Sequence, residues 1–440
     1  MAKDKFKIKR VFFIIFVVLL AFATRIYPIK NTSKGDLLVH YEWSQTIYKE
    51  GLENIYFFPT WTYTPPTQPP LMMMGFWISR HLYENRYLLS ELHNQTRLPP
   101  SSVILCFDKY GEYLLLRLWA ILGDFLSAFF VFFIIKKHLK NFNIALLGLI
   151  FMLFNPISLM ETSLWGQNDL IGIIFAYISF LLLKNKSWKI FSPLIFLISL
   201  LIKPTSLVLF PFFAYLYLLS LKDDKKKIRN ILIPFFLCLS FVFLSFKPFI
   251  NASSSPVPQI YNIINSRITS SSKGTTRASN SAFNIYSLFF ELDKTPGSYR
   301  LLGLELNSLS LIAYLAINIF SIYLFGKNNT KQPLKLFFII FFISQGTFLL
   351  VTGMLERYFF PAFISSVLLM FLSFKNFGYL MILQNLLWFL NLFYAYFQRD
   401  VGWIKEVFED NSLFLVRIIS LISLVNFYAI SRKYFQIKEK

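Results

Sequence analysis

The sequence predicts an all-α polytopic membrane protein, a bundle of about 12 spans in one integral membrane domain, residues 1–440. Three observations predict it. First, 55% of residues are hydrophobic, 53 are Phe and only 15% are charged, which is no soluble globular composition. Second, apolar runs long enough to cross a hydrocarbon layer recur along the chain, without the alternation of barrel strands. Third, Lys and Arg fall in short clusters between those runs, as loops on one membrane side do. The net charge of +21 therefore reads as a topology signal and excludes nucleic acid as the expected partner.

The elements follow in order. The N-terminus, MAKDKFKIKR and then an apolar run, could be a signal peptide. An uncleaved first helix is preferred, since no small-x-small site follows Ala23. Spans are expected at 11–27, 112–135, 142–160, 169–183, 190–203, 205–221, 231–249, 301–325, 335–352, 358–374, 377–396 and 412–430. Pro204 interrupts the short pair 190–203 and 205–221, which also fits one bent or re-entrant unit. The basic clusters are Lys3 to Arg10, Lys136 to Lys140, Lys184 to Lys189, Lys222 to Arg229, Lys327 to Lys335, Lys375, Arg432 and Lys433. Twelve spans put them all on one side, so both termini are expected in the cytoplasm. The other face then receives a first loop at 28–110 with amphipathic, interfacial helices. It also receives 161–169, the Lys203-Pro204 corner, a second loop at 250–300, 353–358 and 398–411. Any chemistry is expected outside, at a plasma membrane. No Walker A or Rossmann glycine pattern is present, so an energy-rich donor used there would most simply be a lipid.

Each candidate residue has a functional and a bland reading. Asp36 can serve as a general base, or be a solvated loop carboxylate beside Lys34. Asp36, His40 and Trp43 share a helical face by i, i+4, i+7 spacing; His40 is a second acid, a substrate contact, or simply exposed. Glu42 points elsewhere. Pro65, Pro66, Pro69 and Pro70 delay the next helix to Leu71, whose Met and aromatic residues offer an apolar face to lipid. Gln167, Asn168 and Asp169 set donors and acceptors at the bundle mouth, for sugar hydroxyls or as a helix N-terminus. Trp165 reads as an ordinary interface residue. Arg117 and Asp124, seven residues apart in one span, suggest a polar network inside the bundle, with a substrate-side role for Arg117 second. Glu356, Arg357 and Tyr358 end a span; Arg357 can grip a phosphate or merely pair with Glu356. Lys203, at the outer tip of its hairpin, needs an anion, from a lipid headgroup or a donor phosphate. Arg267, Lys273 and Arg277 precede the polar–aromatic run 279–289, a pocket lining or re-entrant piece. Cys106 and Cys238, and His40, His81, His93 and His138, have no metal or redox spacing, and neither metal nor cofactor is expected. No Ser-His-Asp triad can be assembled.

With these residues in view, the chain resembles the GT-C fold membrane glycosyltransferases, specifically the polyprenyl- or dolichyl-phosphate-sugar-dependent mannosyltransferase-like proteins. The resemblance rests on Gly35-Asp36, Tyr63-Thr64-Pro65-Pro66, the block from Asn155-Pro156 to Asp169, and the SAFNIY and MLERYFFPA segments. Leu355 stands where the family pattern has His, so the role of that His does not carry over. The resemblance implies a GT-C-like bundle and an inverting transfer of a hexose, mannose by family likeness, from a polyprenyl-phosphate donor on the extracytoplasmic face. The acceptor would be a glycolipid, glycan or protein. It implies Asp36 as the base, with Arg357, Lys203 and Arg277 toward the donor phosphate. His40, Gln167, Asn168, Asp169, Glu356 and Tyr358 would hold sugar or acceptor. Two rivals stand beside it. A lipid-linked oligosaccharide flippase should show a charged bundle interior and internal repeats. A non-catalytic GT-C-like subunit need not keep Asp36, Lys203 and Arg357.

Overall fold

The computed structural model describes residues 2–31, 35–53, 55–222, 224–251, 253–269, 277–327, 333–398 and 400–437. Lys34, Lys273 and Lys331 lie outside them. Almost all of the described chain is helical, and the one sheet is a two-stranded hairpin of β1 (Arg300–Leu301) and β2 (Leu304–Glu305).

Among the described residues, seven helices are long and apolar enough to cross a membrane: Ile8–Ile29, Ser101–Leu139, Phe142–Trp165, Lys227–Phe249, Leu306–Gly326, Phe374–Phe397 and Leu413–Gln436. The chain is thus an all-α protein with the helices of an integral membrane protein. Five shorter apolar helices, Asp169–Leu182, Lys189–Ile202, Pro204–Ser220, Leu334–Leu350 and Phe360–Leu372, fall where the remaining spans are expected.

Two of the short helices form the centre. Every residue from Phe360 to Met370 is buried, and so is every residue from Lys335 to Phe341. A helix apolar on all faces must be packed on all faces. The Lys227–Phe246 helix is the opposite case. Ile231, Leu232, Phe235, Phe236, Leu239 and Leu244 lie exposed along it, the surface a helix presents to lipid.

The first helices position the site. We label α1 (Ala2–Ile26), α2 (Asp36–Glu50), α3 (Pro70–Glu84), α4 (Tyr87–Thr96) and α5 (Ser101–Leu139). The 39-residue α5 begins eleven residues before the expected span, because the helical sequence SSVILCFDKYGEY continues the apolar run without a breaker. The first loop is shortened accordingly. Pro70 is the first residue of α3, where its missing N–H is no loss. Met72, Met73 and Phe76 of α3 do not face lipid as expected. They are 2% exposed or less and form a second core with Leu37, Trp43 and Ile47 of α2 and Leu116 of α5. The Pro-rich run is tied to α2: Glu42 accepts from the backbone N–H of Thr62 and Tyr63, and Trp43 Nε1 donates to the Thr64 carbonyl at 2.8 Å.

Next come α6 (Phe142–Leu153), α7 (Pro156–Leu159) running into a π-helical turn (Met160–Trp165), α8 (Asp169–Leu182), α9 (Ser192–Ile202) and α10 (Phe210–Ser220). The Pro204 break resolves as a 3-10 turn, Pro204–Leu209, between α9 and α10. At the crossing of α5 and α8 a Cβ on Gly123 would lie 2.7 Å from Ile171 Cα. Only glycine allows the backbones that close.

The polar network expected around Arg117 and Asp124 is present at Asp124, with a partner from another helix. Asp124 meets Arg25 of α1: Arg25 Nε donates to Asp124 Oδ2 at 2.8 Å and Nη2 to the same oxygen. Arg25 Nη2 also donates to the Leu153 carbonyl at 2.7 Å, and Nη1 to the Ala21 carbonyl at 2.8 Å. Both charged side chains are wholly buried. This pair pins α1 to α5 and to the end of α6. Arg117 turns toward the Trp165 turn, donating to the Leu164 carbonyl at 3.4 Å.

Candidate functional site

Asp36 opens α2, and Gly35 before it has φ 57° and ψ −130°. That backbone conformation disfavours any L side chain. It turns the chain so that the first carboxylate of α2 meets the π-helical turn and the loop at 353–358. All donors to Asp36 converge on one oxygen. Trp165 Nε1 donates to Oδ2 at 3.1 Å, Gln167 Nε2 donates to the same atom, and Arg357 Nη1 stands 3.6 Å away. Among the described residues Oδ1 takes no hydrogen bond, and the side chain is 37% exposed. One oxygen is held and the other is left without a donor.

Gln167 is held in turn. Its Oε1 accepts from Lys203 Nζ at 2.7 Å, and Lys203 also donates to Asp169 Oδ2. A carboxamide whose oxygen is claimed by an ammonium must present its NH2 to whatever lies opposite. The series Asp169–Lys203–Gln167 therefore fixes which end of Gln167 meets Asp36. The Lys203 side chain is 7% exposed and that of Asp169 is wholly buried. The anion that Lys203 was expected to find in a lipid headgroup or donor phosphate is thus supplied by the chain itself. Lys203 is a positioning residue behind Asp36. The Pro204 break leaves it at the end of α9 in extended conformation, φ −155° and ψ 128°.

Arg357 joins two carboxylates, Asp36 and Glu356, donating to Glu356 Oε1 at 2.7 Å. Its guanidinium carbon sits 5.5 Å from the Trp165 ring centroid. Burial opposes the charge of Arg357, but Glu356 and Asp36 outweigh it and hold the pKa above the ordinary arginine range. Burial likewise pushes the Asp36 carboxyl up; Arg357, His40 and Lys203, with the Trp165 hydrogen bond, outweigh this and leave its pKa below the ordinary value. Glu356 goes the other way: burial raises it more than Arg357 lowers it. The two carboxyls beside one guanidinium are thereby set apart.

Asp36 and Arg357 share a cavity of about 790 Å³ with Gly35, Trp165, Arg277, Asn280, Ser281, Asp293, Glu356, Tyr396, Gln398 and Asp400 among its lining. Its wall is built from loops zipped by backbone bonds. Gly353 N–H donates to the Arg277 carbonyl at 2.9 Å and Asn280 N–H to the Met354 carbonyl at 3.1 Å. Asp293 N–H donates to the Ser279 carbonyl at 3.1 Å. The last long pair, α17 (Phe374–Phe397) and α18 (Gly402–Gln436), follows α11 (Lys227–Phe246), α12 (Pro256–Ile263), α13 (Tyr286–Phe289), α14 (Leu306–Lys327), α15 (Leu334–Leu350) and α16 (Phe360–Leu372). From α17, Asn391 anchors the polar–aromatic run: its Nδ2 donates to the Ser281 carbonyl at 2.7 Å and its Oδ1 accepts from Phe283 N–H at 3.0 Å.

Of the residues expected at a site, Asp36, Arg277, Arg357 and Glu356 line the cavity. Gln167 touches Asp36 from behind. The others are elsewhere. His40 is 2% exposed and stacked on Phe76 at 4.5 Å, so it backs Asp36 without lining the cavity. Burial pushes its pKa down to about 3, which keeps the ring neutral. Asn168 and Asp169 are wholly buried, and Tyr358 is also absent from the lining. Asn168 and Asp169 are covered because the bundle packs over the start of α8, while Tyr358 is half-buried beside the start of α16. Sequence reasoning missed Trp165, Asp293, Tyr396 and Gln398. It also missed Glu161, a wholly buried carboxylate one turn before Trp165. An indole N–H within the WGQND block was the one available signal. Among the described residues no group of His, Cys, Asp and Glu is arranged to hold a metal ion.

No protein-family model matches this sequence, and no curated protein matches it.

Proposed function

We propose that the chain is an inverting glycosyltransferase that moves a hexose from a polyprenyl-phosphate donor to an acceptor hydroxyl, with Asp36 as general base, in a twelve-span GT-C-like bundle. The cavity faces the extracytoplasmic side, and both termini are cytoplasmic. The observation that carries this reading is the divided carboxylate of Asp36, a residue that lines the cavity: Oδ2 is held by Trp165 and Gln167 beside Arg357, and among the described residues Oδ1 takes no hydrogen bond. A base needs one lone pair aimed at its proton and the rest of the group immobilised. A depressed pKa keeps Asp36 ionised at neutral pH.

In the proposed step, the acceptor oxygen attacks the anomeric carbon while Asp36 Oδ1 takes its proton. The bond from that carbon to the phosphate oxygen breaks, and the polyprenyl phosphate leaves as an anion. Such a leaving group needs cations rather than an acid. Arg357, whose buried Nε–H has no acceptor among the described residues, and Arg277, which also lines the cavity, supply positive charge there. Lys203 acts one step removed, by holding Gln167. The polar lining of Asn280, Ser281, Asp293 and Gln398 suits sugar hydroxyls, and Tyr396 offers a ring face.

The test uses purified protein with a synthetic polyprenyl-phosphate hexose. Asp36→Asn keeps the size and the hydrogen bonds of the site and removes the base. General base catalysis is worth roughly 100- to 10,000-fold, so turnover should fall by that range while donor binding persists. Undiminished transfer by the variant removes Asp36 from the base role. The ionisable groups Arg25, Asp124, Glu161, Asp169 and Lys203 are buried in the bundle interior, the feature a flippase should show. Lipid translocation in vesicles, with no transfer by the wild type, would therefore replace this reading by a flippase.

A further inference from the structure

The helices that hold the site at one end carry a second polar feature at the other. Helix α8 starts at Asp169 and ends at Leu182, and α9 runs back from Ser192 toward Lys203. At fourteen residues, α8 separates the two features by about 20 Å. At the far end lies a cavity of about 590 Å³ walled by Lys184, Lys186, Lys189, Lys225, Lys226 and Arg229. Among the described residues its wall holds one carboxylate, Asp224, and Lys189 occupies it. Lys189 also donates to the Ser220 carbonyl at 3.0 Å. The remaining cations of the wall have no carboxylate at ion-pair distance among the described residues.

These cations crowd one another. Lys184 also borders a neighbouring cavity of about 590 Å³, which it shares with Lys186 and with Lys137 from the end of α5. Burial and the Lys137 charge push the Lys184 ammonium pKa down. An anion placed among these exposed side chains relieves like-charge repulsion. Beside the basic cavity lies an apolar slot of about 170 Å³ between Phe180, Leu216, Phe325 and Leu336. Leu183, Lys184, Leu219 and Ser220 line both. Charge and apolar slot are therefore contiguous, and they sit at the ends of apolar helices.

We propose that this is a binding site for a phospholipid with an anionic headgroup, its phosphate among Lys184, Lys186 and Lys225 and one acyl chain in the slot lined by Leu216 and Leu219. A soluble phosphate would meet the cations and leave the slot empty. A neutral lipid would fill the slot and leave the cations crowded. An anionic lipid satisfies both, and basic pockets between membrane helices suit such headgroups. The site is independent of the transferase reading, being built at the opposite end of α8 and α9.

The experiment places the full chain in nanodiscs of phosphatidylcholine with phosphatidylglycerol and counts retained lipid by native mass spectrometry. The wild type should retain phosphatidylglycerol over phosphatidylcholine. K184Q/K186Q/K225Q should bind it roughly 100-fold more weakly, from three lost headgroup contacts. Should the triple variant fail to fold, K186Q/K225Q, both exposed positions, reads the loss of two contacts at roughly 20-fold. L219W fills the slot and should lower retention with every cation intact. Unchanged retention in the charge variants overturns the site, and unchanged retention in L219W overturns the chain placement. Equal competition by glycerol 3-phosphate makes it a soluble-anion site and overturns the lipid assignment.

Discussion

Replacing Lys203 by Met tests the inner side of the site. Lys203 and Asp169 form a buried pair, 6% and 0% exposed. Lys203→Met keeps a similar volume and leaves Asp169 charged, desolvated and without its cation. Removing one member of such a pair costs about 3–5 kcal/mol. Asp169→Asn strands the ammonium instead and should cost a similar amount. In K203M/D169N no charge is left behind, and a neutral pair of matched volume is often close to neutral in stability. The double variant should therefore be more stable than the sum of the single losses by about 3 kcal/mol or more, at the top of the range for contacting residues. Equilibrium unfolding of the four proteins in one detergent closes the cycle. Additive losses, or a K203M protein as stable as the wild type, refute the view that Lys203 is a counter-ion held inside the protein. A second readout follows from Gln167: without Lys203 its carboxamide can flip, so any turnover should fall in the double variant too, although its stability is restored.

Three further outcomes are expected. His40 is neutral in the fold, with its pKa pushed down to about 3, while the unfolded chain protonates it near the ordinary value of about 6.5. The unfolded state binds the extra proton, so this stabilisation is complete above pH ~6.5 and drains as pH falls toward 3, by up to about 5 kcal/mol. A His40→Phe protein, which keeps the stack on Phe76, should show a flatter acid limb of stability; an unchanged limb removes His40 as its source. Gly123→Ala drives a methyl into the Ile171 backbone and should cost about 3 kcal/mol or more, read as a lowered unfolding midpoint; wild-type stability would mean that the α5–α8 crossing gives way freely. Arg25→Met leaves Asp124 buried without its cation and should cost about 3–5 kcal/mol, recovered in large part by adding Asp124→Asn.

What the sequence made legible divides along a physical line. Apolar runs and basic clusters are local signals, so the helical class and the placing of most helices were readable. Asp36 and Arg357 could be singled out because each is a charged residue in a polar stretch next to an apolar segment. Pairing was not readable, because a buried ion pair leaves no spacing. Arg25 and Asp124 meet across 99 positions, whereas Arg117 and Asp124 only look like partners by their separation on one helix. The same limit hid Trp165, whose indole serves as a donor to Asp36, not an interface anchor. Lys203 was found without its partner: its anomalous position signalled an anion, and nothing local said that Asp169 would meet it. His40 shares a face with Asp36, as the spacing suggested. That face points into the second core, since α3 covers it with Phe76.

Gly35 has a consequence that concerns handedness. A Cβ there would meet no atom within 4 Å, so the requirement is purely torsional. Its φ of 57° and ψ of −130° are the mirror image of an extended conformation that any L residue adopts with ease. The position is therefore selective for chirality and indifferent to size. By this argument a D-alanine placed at 35 by chemical ligation would keep Asp36 aimed as it is, and an L-alanine of identical composition would turn it away. The aim of the candidate base is set by which enantiomer its neighbour resembles, a property no side chain in the cavity reports.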